Sequence, residues 1–123
     1  MSRGILIVSH VAEIGDGLKR LIEEVAKDVP ITVAAGTSDG KVGTEFDKVF
    51  QAIEENAGEE LFAFYDLGSA KMNLEMAVEM TDKSVQIYNT ALVEGCYNAA
   101  ALIQAGVKTP EIEQTLETLV LEK

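Results

Sequence analysis

Four short apolar runs, separated by stretches of helical period, constrain this chain more than any other feature. They are Gly4-Ile5-Leu6-Ile7-Val8, Ile31-Thr32-Val33-Ala34-Ala35, Leu61-Phe62-Ala63-Phe64-Tyr65 and Val85-Gln86-Ile87-Tyr88. Continuous β-branched and aromatic runs of this length are the mark of strands, and those buried on both faces show no polar alternation. Between the first two runs, Ile14, Leu18, Leu21, Ile22 and Val25 fall at helical spacing, in a helix predicted to end before Pro30. Thr44 is the expected cap of a second helix carrying Phe46, Val49, Phe50, Ile53 and Ala57. A third helix opens at Gly68-Ser69 and runs to about Met80, and a fourth spans Leu92 to Ala105 and is closed by Gly106. The last has Thr109 as cap, Pro110 at its first position and an apolar stripe of Ile112, Leu116, Leu119 and Val120.

Strand and helix in alternation require right-handed crossovers, hence an open, mainly parallel four-stranded α/β sheet with helices on both faces. The strand order expected is 2-1-3-4. With no repeat, low-complexity tract or Pro/Gly/Ser-rich linker, residues 1–123 are expected to form one domain. In such sheets ligands bind beyond the carboxyl ends of the strands, where the order reverses, here between strands 1 and 3.

Two strand ends therefore carry the chemistry. Strand 1 ends in Ser9-His10, which holds the only histidine, and strand 3 ends in Asp66-Leu67-Gly68-Ser69. An aspartate that holds one ring nitrogen fixes the tautomer, leaves the other lone pair free and stabilises the developing positive charge. A lone histidine at an arbitrary position is more often structural, but Asp66 opposite it favours a nucleophile. Gly68 and Ser69, at a helix start, offer amides to an anion. Gly36 and Thr37, with Ser38, could add donors from the loop after strand 2. Each of these signals is weak alone; together they describe an anion held beside an imidazole.

Composition removes several alternatives. The 21 acidic against 10 basic residues give a net charge of −11, against sequence-independent binding to nucleic acid or anionic lipid. One cysteine, Cys96, allows no internal disulfide and reads as packing, since no further histidine could activate it. Ile5 to Val8 is too short for a signal peptide's apolar region or a membrane span, so a cytoplasmic protein is expected. Met72, Met76 and Met80 form a stripe that is most often core, although so wide an apolar face also suits a dimer contact. Glu54-Glu55 and Glu59-Glu60 read as solvated. Asp39 and Lys71 lie near the predicted crevice without an assignable role.

Taken together, Ile7-Val8-Ser9-His10, Ala34-Ala35-Gly36 with Gly43-Thr44, Asp66-Leu67-Gly68-Ser69-Ala70-Lys71-Met72-Asn73 and Leu92-Val93-Glu94-Gly95 resemble one family over essentially the whole chain. The chain is similar to the phosphotransferase subunits of bacterial phosphoenolpyruvate-dependent dihydroxyacetone kinases, grouped with the mannose-type IIA domains of the sugar phosphotransferase system. The resemblance implies a homodimer whose His10 accepts a phosphoryl group from the phosphocarrier HPr. It implies transfer to ADP on the nucleotide-binding subunit (DhaL), whose ATP then phosphorylates dihydroxyacetone on the third subunit (DhaK). With the strand-end argument, His10 and Asp66 are the expected catalytic residues, and Gly36, Thr37, Leu67, Gly68 and Ser69 the expected phosphoryl-binding residues. No cofactor or metal is expected on this chain; nucleotide and Mg²⁺ belong to the partner. Because the matching segment takes up the whole chain, HPr is expected as a separate protein. Ala91 departs from the family pattern, standing where a proline is expected.

Four other readings compete. A receiver domain needs an acidic pair after strand 1 and a fifth strand followed by lysine; Ser9-His10 stands in place of the first, and the second is lacking. A flavodoxin-like FMN carrier needs a Ser/Thr-rich loop after strand 1, which this chain lacks. A sugar-specific IIA domain would donate to a IIB domain instead, and a regulatory protein would use His10 phosphorylation only as a signal.

Overall fold

The computed structural model describes residues 2–123. Its elements are β1 (Arg3–Ser9), α1 (Ala12–Glu23), β2 (Ile31–Ala35), α2 (Phe46–Glu55), β3 (Glu60–Tyr65), a 3-10 turn (Gly68–Ala70), α3 (Lys71–Met80), β4 (Ser84–Tyr88), α4 (Leu92–Gln104) and α5 (Thr109–Glu117). The sheet has the order β2-β1-β3-β4, and each pairing is parallel. This is the α/β architecture expected from the alternation of apolar runs.

Successive side chains of a strand point to opposite faces, and β1 and β3 divide accordingly. Ile5, Ile7, Phe62 and Phe64 enter one apolar cluster with Leu18 and Ile22 of α1, Ala99 of α4, and Ile112 and Leu116 of α5. Leu6, Val8, Leu61, Ala63 and Tyr65 enter the other with Val49 and Ile53 of α2 and Leu74 and Ala77 of α3. Helices cover both faces, which explains why the central strands read as unbroken apolar runs.

Several boundaries differ from expectation. Helix α1 stops at Glu23 rather than continuing towards Pro30. Glu24 and Val25 donate to carbonyls three residues back, and Asp28 N–H donates to the Gln104 side chain at 2.8 Å, drawing the segment off the helical path. Helix α2 is preceded by Glu45 and has no side-chain cap; the Thr44 hydroxyl instead accepts from Asn73 of α3 at 2.9 Å. Helix α5 is preceded by Lys108, while Thr109 is engaged with Arg3 and with Glu60 of β3, both at 3.2 Å. Glu60 is thus half-buried, whereas Glu54, Glu55 and Glu59 are exposed.

The expected last stripe breaks after Leu116. Leu119 to Leu121 leave the helix and run beside residues 89–91: Ala91 N–H donates to Leu119 O at 2.9 Å, and Leu121 N–H to Asn89 O at 2.8 Å. Ala91 therefore uses a donor that the proline expected there would lack. The methionine stripe is not core, since Met72 and Met80 are 70% and 67% exposed; Leu74 and Ala77 carry the buried face of α3. Cys96 is buried in α4, and burial pushes its thiol pKa up, as a packing role requires.

Candidate functional site

Strands β1 and β3 pair in register Val8↔Tyr65, which sets the residues that follow them side by side. Asp66 N–H continues the ladder to Val8 O at 3.2 Å. From that position the Asp66 carboxylate faces His10. Oδ1 lies 2.8 Å from His10 Nδ1, and Oδ2 accepts the His10 main-chain N–H at 2.9 Å and the Ser9 hydroxyl at 2.8 Å. Leu67 N–H donates to Oδ1 at 2.7 Å. Burial raises the Asp66 pKa, and these bonds outweigh it, leaving the carboxyl below the ordinary aspartate value. An ionised Asp66 accepts from Nδ1–H, so the imidazole carries its proton there.

The other ring nitrogen is then an acceptor. His10 Nε2 lies 2.7 Å from the Ser69 hydroxyl, which donates to it. The imidazole is thus held from both sides, with Nε2 turned towards the surface and the side chain 15% exposed. Such an imidazole can act as a nucleophile while its tautomer stays fixed.

The remaining predicted residues divide. Gly68 and Ser69 form the 3-10 turn leading into α3, so the amides precede the regular helix rather than starting it. Leu67 spends its amide on Asp66, and its side chain is exposed. Gly36, at φ +68°, donates its N–H to Ser9 O at 3.1 Å. That left-handed turn suits glycine. Thr37 N–H goes to Lys41 O at 3.0 Å, and its hydroxyl donates to Asp39. The loop after β2 therefore supports the His10 backbone, a role completed by Gly43 N–H, which donates to His10 O at 2.8 Å.

Sequence reasoning missed three participants. Ser9 is fully buried and orients Asp66, and its position beside His10 was the only available signal. Gly43 stands out in the sequence only as a loop glycine and as part of the Gly43-Thr44 pair. Lys123, far away in sequence, donates to Tyr65 O at 2.6 Å, and no local pattern announces it.

Residues 4–113 match the family model described as the PTS system fructose IIA component, EIIA-man. The chain therefore belongs to that family. Over its whole length it is 50% identical to the phosphotransferase subunit DhaM of the PTS-dependent dihydroxyacetone kinase of Lactococcus lactis subsp. lactis (strain IL1403), covering 100% of each chain. It is 43% identical over 119 residues to the phosphoryl donor subunit DhaM of the PEP-dependent dihydroxyacetone kinase 1 of Listeria innocua serovar 6a, covering 97% of this chain and 96% of that one. A crystal structure of a protein of unknown function superposes with a TM-score of 0.85 at 30% identity, covering 99% of this chain and 98% of that one.

Proposed function

We propose that this chain is the phosphohistidine relay subunit of a phosphoenolpyruvate-dependent dihydroxyacetone kinase. It accepts a phosphoryl group from HPr on His10 and passes it to ADP on the nucleotide-binding subunit, DhaL. The observation that carries this reading is the division of labour on the imidazole: Asp66 holds Nδ1, and Nε2 faces outward with only the Ser69 hydroxyl on it. The full-length similarity to two DhaM subunits supplies the system.

In this mechanism the Nε2 lone pair attacks the phosphorus as the donor imidazole's N–P bond breaks, and that bond's electron pair stays with the donor. The Nδ1 proton remains between His10 and Asp66 throughout. The phosphorylated ring is cationic and is stabilised by the Asp66 carboxylate, while the Gly68 and Ser69 amides and the Ser69 hydroxyl hold the phosphoryl oxygens. Transfer onward reverses the roles, with a phosphate oxygen of ADP attacking and the electron pair returning to Nε2. Nucleotide and Mg²⁺ stay on the partner; this chain contributes positioning and charge.

The same reading makes the chain a single-domain cytoplasmic homodimer. Among the described residues no helix is long and apolar enough to cross a membrane. The methionines exposed along α3 give a surface that a second copy could cover. Reconstitution tests the proposal: phosphoenolpyruvate, enzyme I, HPr and the other two kinase subunits should phosphorylate dihydroxyacetone only when this chain is added. The family match favours one second reading, donation to a IIB domain of a sugar system. Normal labelling by HPr with no dihydroxyacetone phosphorylation would select it.

A further inference from the structure

We propose that Lys123 is a positioning residue of the relay, holding the segment that carries Asp66 and Ser69 on each side of Asp66. The inference rests on the relay reading and adds a residue to it.

Asp66 and Ser69, the two side chains that grip the imidazole, lie on one short segment between β3 and α3. Lys123 touches that segment on each side of Asp66. Before it, the ammonium donates to Tyr65 O at 2.6 Å and sits 4.4 Å from the centre of the Tyr65 ring, a cation–π contact. After it, the Lys123 main chain lies against Gly68. A Cβ at Gly68 would be 3.0 Å from the Lys123 carbonyl carbon and 3.3 Å from its oxygen, closer than ordinary contact, so glycine is what admits the approach.

Lys123 is itself placed by a built path. Leu119 and Leu121 bond to residues 91 and 89, Val120 bridges to Thr90, and Asn89 accepts the Tyr65 hydroxyl at 2.6 Å. Tyr65 is thus held at its hydroxyl, its ring face and its carbonyl by one connected set of contacts. Every donor to the Asp66 carboxylate is a hydroxyl, an amide or the imidazole. The Lys123 ammonium instead holds the carbonyl of Tyr65, the residue immediately before Asp66.

The test uses the full chain as wild type, K123M and K123R. Phosphoramidate, which needs no partner protein, and phosphorylated HPr serve as separate donors. K123M should slow single-turnover acceptance from HPr about tenfold without raising the half-saturating HPr concentration, because positioning rather than docking is lost. It should shorten the lifetime of the phosphohistidine formed with either donor and shift the Gly68 and Ser69 amide resonances. K123R should recover the rate to within about threefold, since a donor to Tyr65 O and a cation over its ring are restored. A thermal melt within a few degrees of wild type shows that K123M is folded. Wild-type rate and lifetime in folded K123M overturn the role of Lys123 and leave the relay standing. A wild-type chain that takes phosphate from neither donor overturns both; one labelled by phosphoramidate but not by HPr removes the relay, and the lifetime of the K123M phosphohistidine then decides for or against the positioning role.

Discussion

Both oxygens of Asp66 face His10: Oδ1 meets the ring at Nδ1, 2.8 Å away, and Oδ2 takes the main-chain N–H at 2.9 Å. One carboxylate therefore fixes the ring's tautomer and ties the ring to its own backbone. Orientation and charge stabilisation come from a single side chain, so removing it has two separable consequences.

The first is kinetic. Asp66→Asn keeps the shape but can present its amide N–H₂ to Nδ1, which favours the wrong tautomer. Stopped-flow transfer from phosphorylated HPr should slow by about a hundredfold or more, with an unchanged far-ultraviolet circular dichroism spectrum. An unaltered rate removes Asp66 from the mechanism.

The second is thermodynamic. The Asp66 pKa is depressed in the folded chain, so its contribution is fully present above the unfolded value of about 4 and is lost as pH falls through the lower folded value. Melting temperatures measured from pH 5 down to pH 2 should fall more steeply for wild type than for D66N. Parallel curves would show that Asp66 has no such linkage.

Ser69 gives a contrasting prediction. Its hydroxyl occupies Nε2 at 2.7 Å, and in the proposed mechanism it turns to a phosphoryl oxygen once the phosphate has arrived. Ser69→Ala should still accept the label, but the phosphohistidine should hydrolyse about tenfold faster and pass on its phosphate more slowly. A lifetime equal to wild type would leave Ser69 only its resting-state role.

Stability away from the site rests on Asn56. Its amide donates to Ile5 O and Thr32 Oγ1, both at 3.0 Å, and accepts Gly58 N–H at 2.8 Å, just past the end of α2. Asn56→Ala leaves these groups unpaired where water is largely excluded, for a cost of about 2–4 kcal/mol in urea unfolding, with His10 labelling retained. A loss under about 0.5 kcal/mol would mean that the pocket rehydrates.

The alternation of apolar runs was enough to read a parallel sheet, because a strand buried on both faces leaves an unbroken run and a crossover helix a clear period. Its strand order rests on the common order of such sheets. The pairing of His10 with Asp66 followed, since both lie one step past neighbouring parallel strands. Helix starts were less legible: Thr44 and Thr109 look like caps, yet their hydroxyls answer to Asn73, Arg3 and Glu60 across the fold. The methionines of α3 have helical spacing whether they face the core or solvent, and only packing decides. Lys123 reaches Tyr65 across 58 positions, a contact that no local pattern encodes.

The central claim is that phosphate passes through His10. It is tested most directly by incubating the chain with phosphoenolpyruvate, enzyme I and HPr, then mapping the phosphate by mass spectrometry under alkaline conditions. The account predicts one acid-labile, base-stable phosphate on His10, absent from His10→Ala. Label that persists in His10→Ala, or a wild-type chain that takes none, would contradict it.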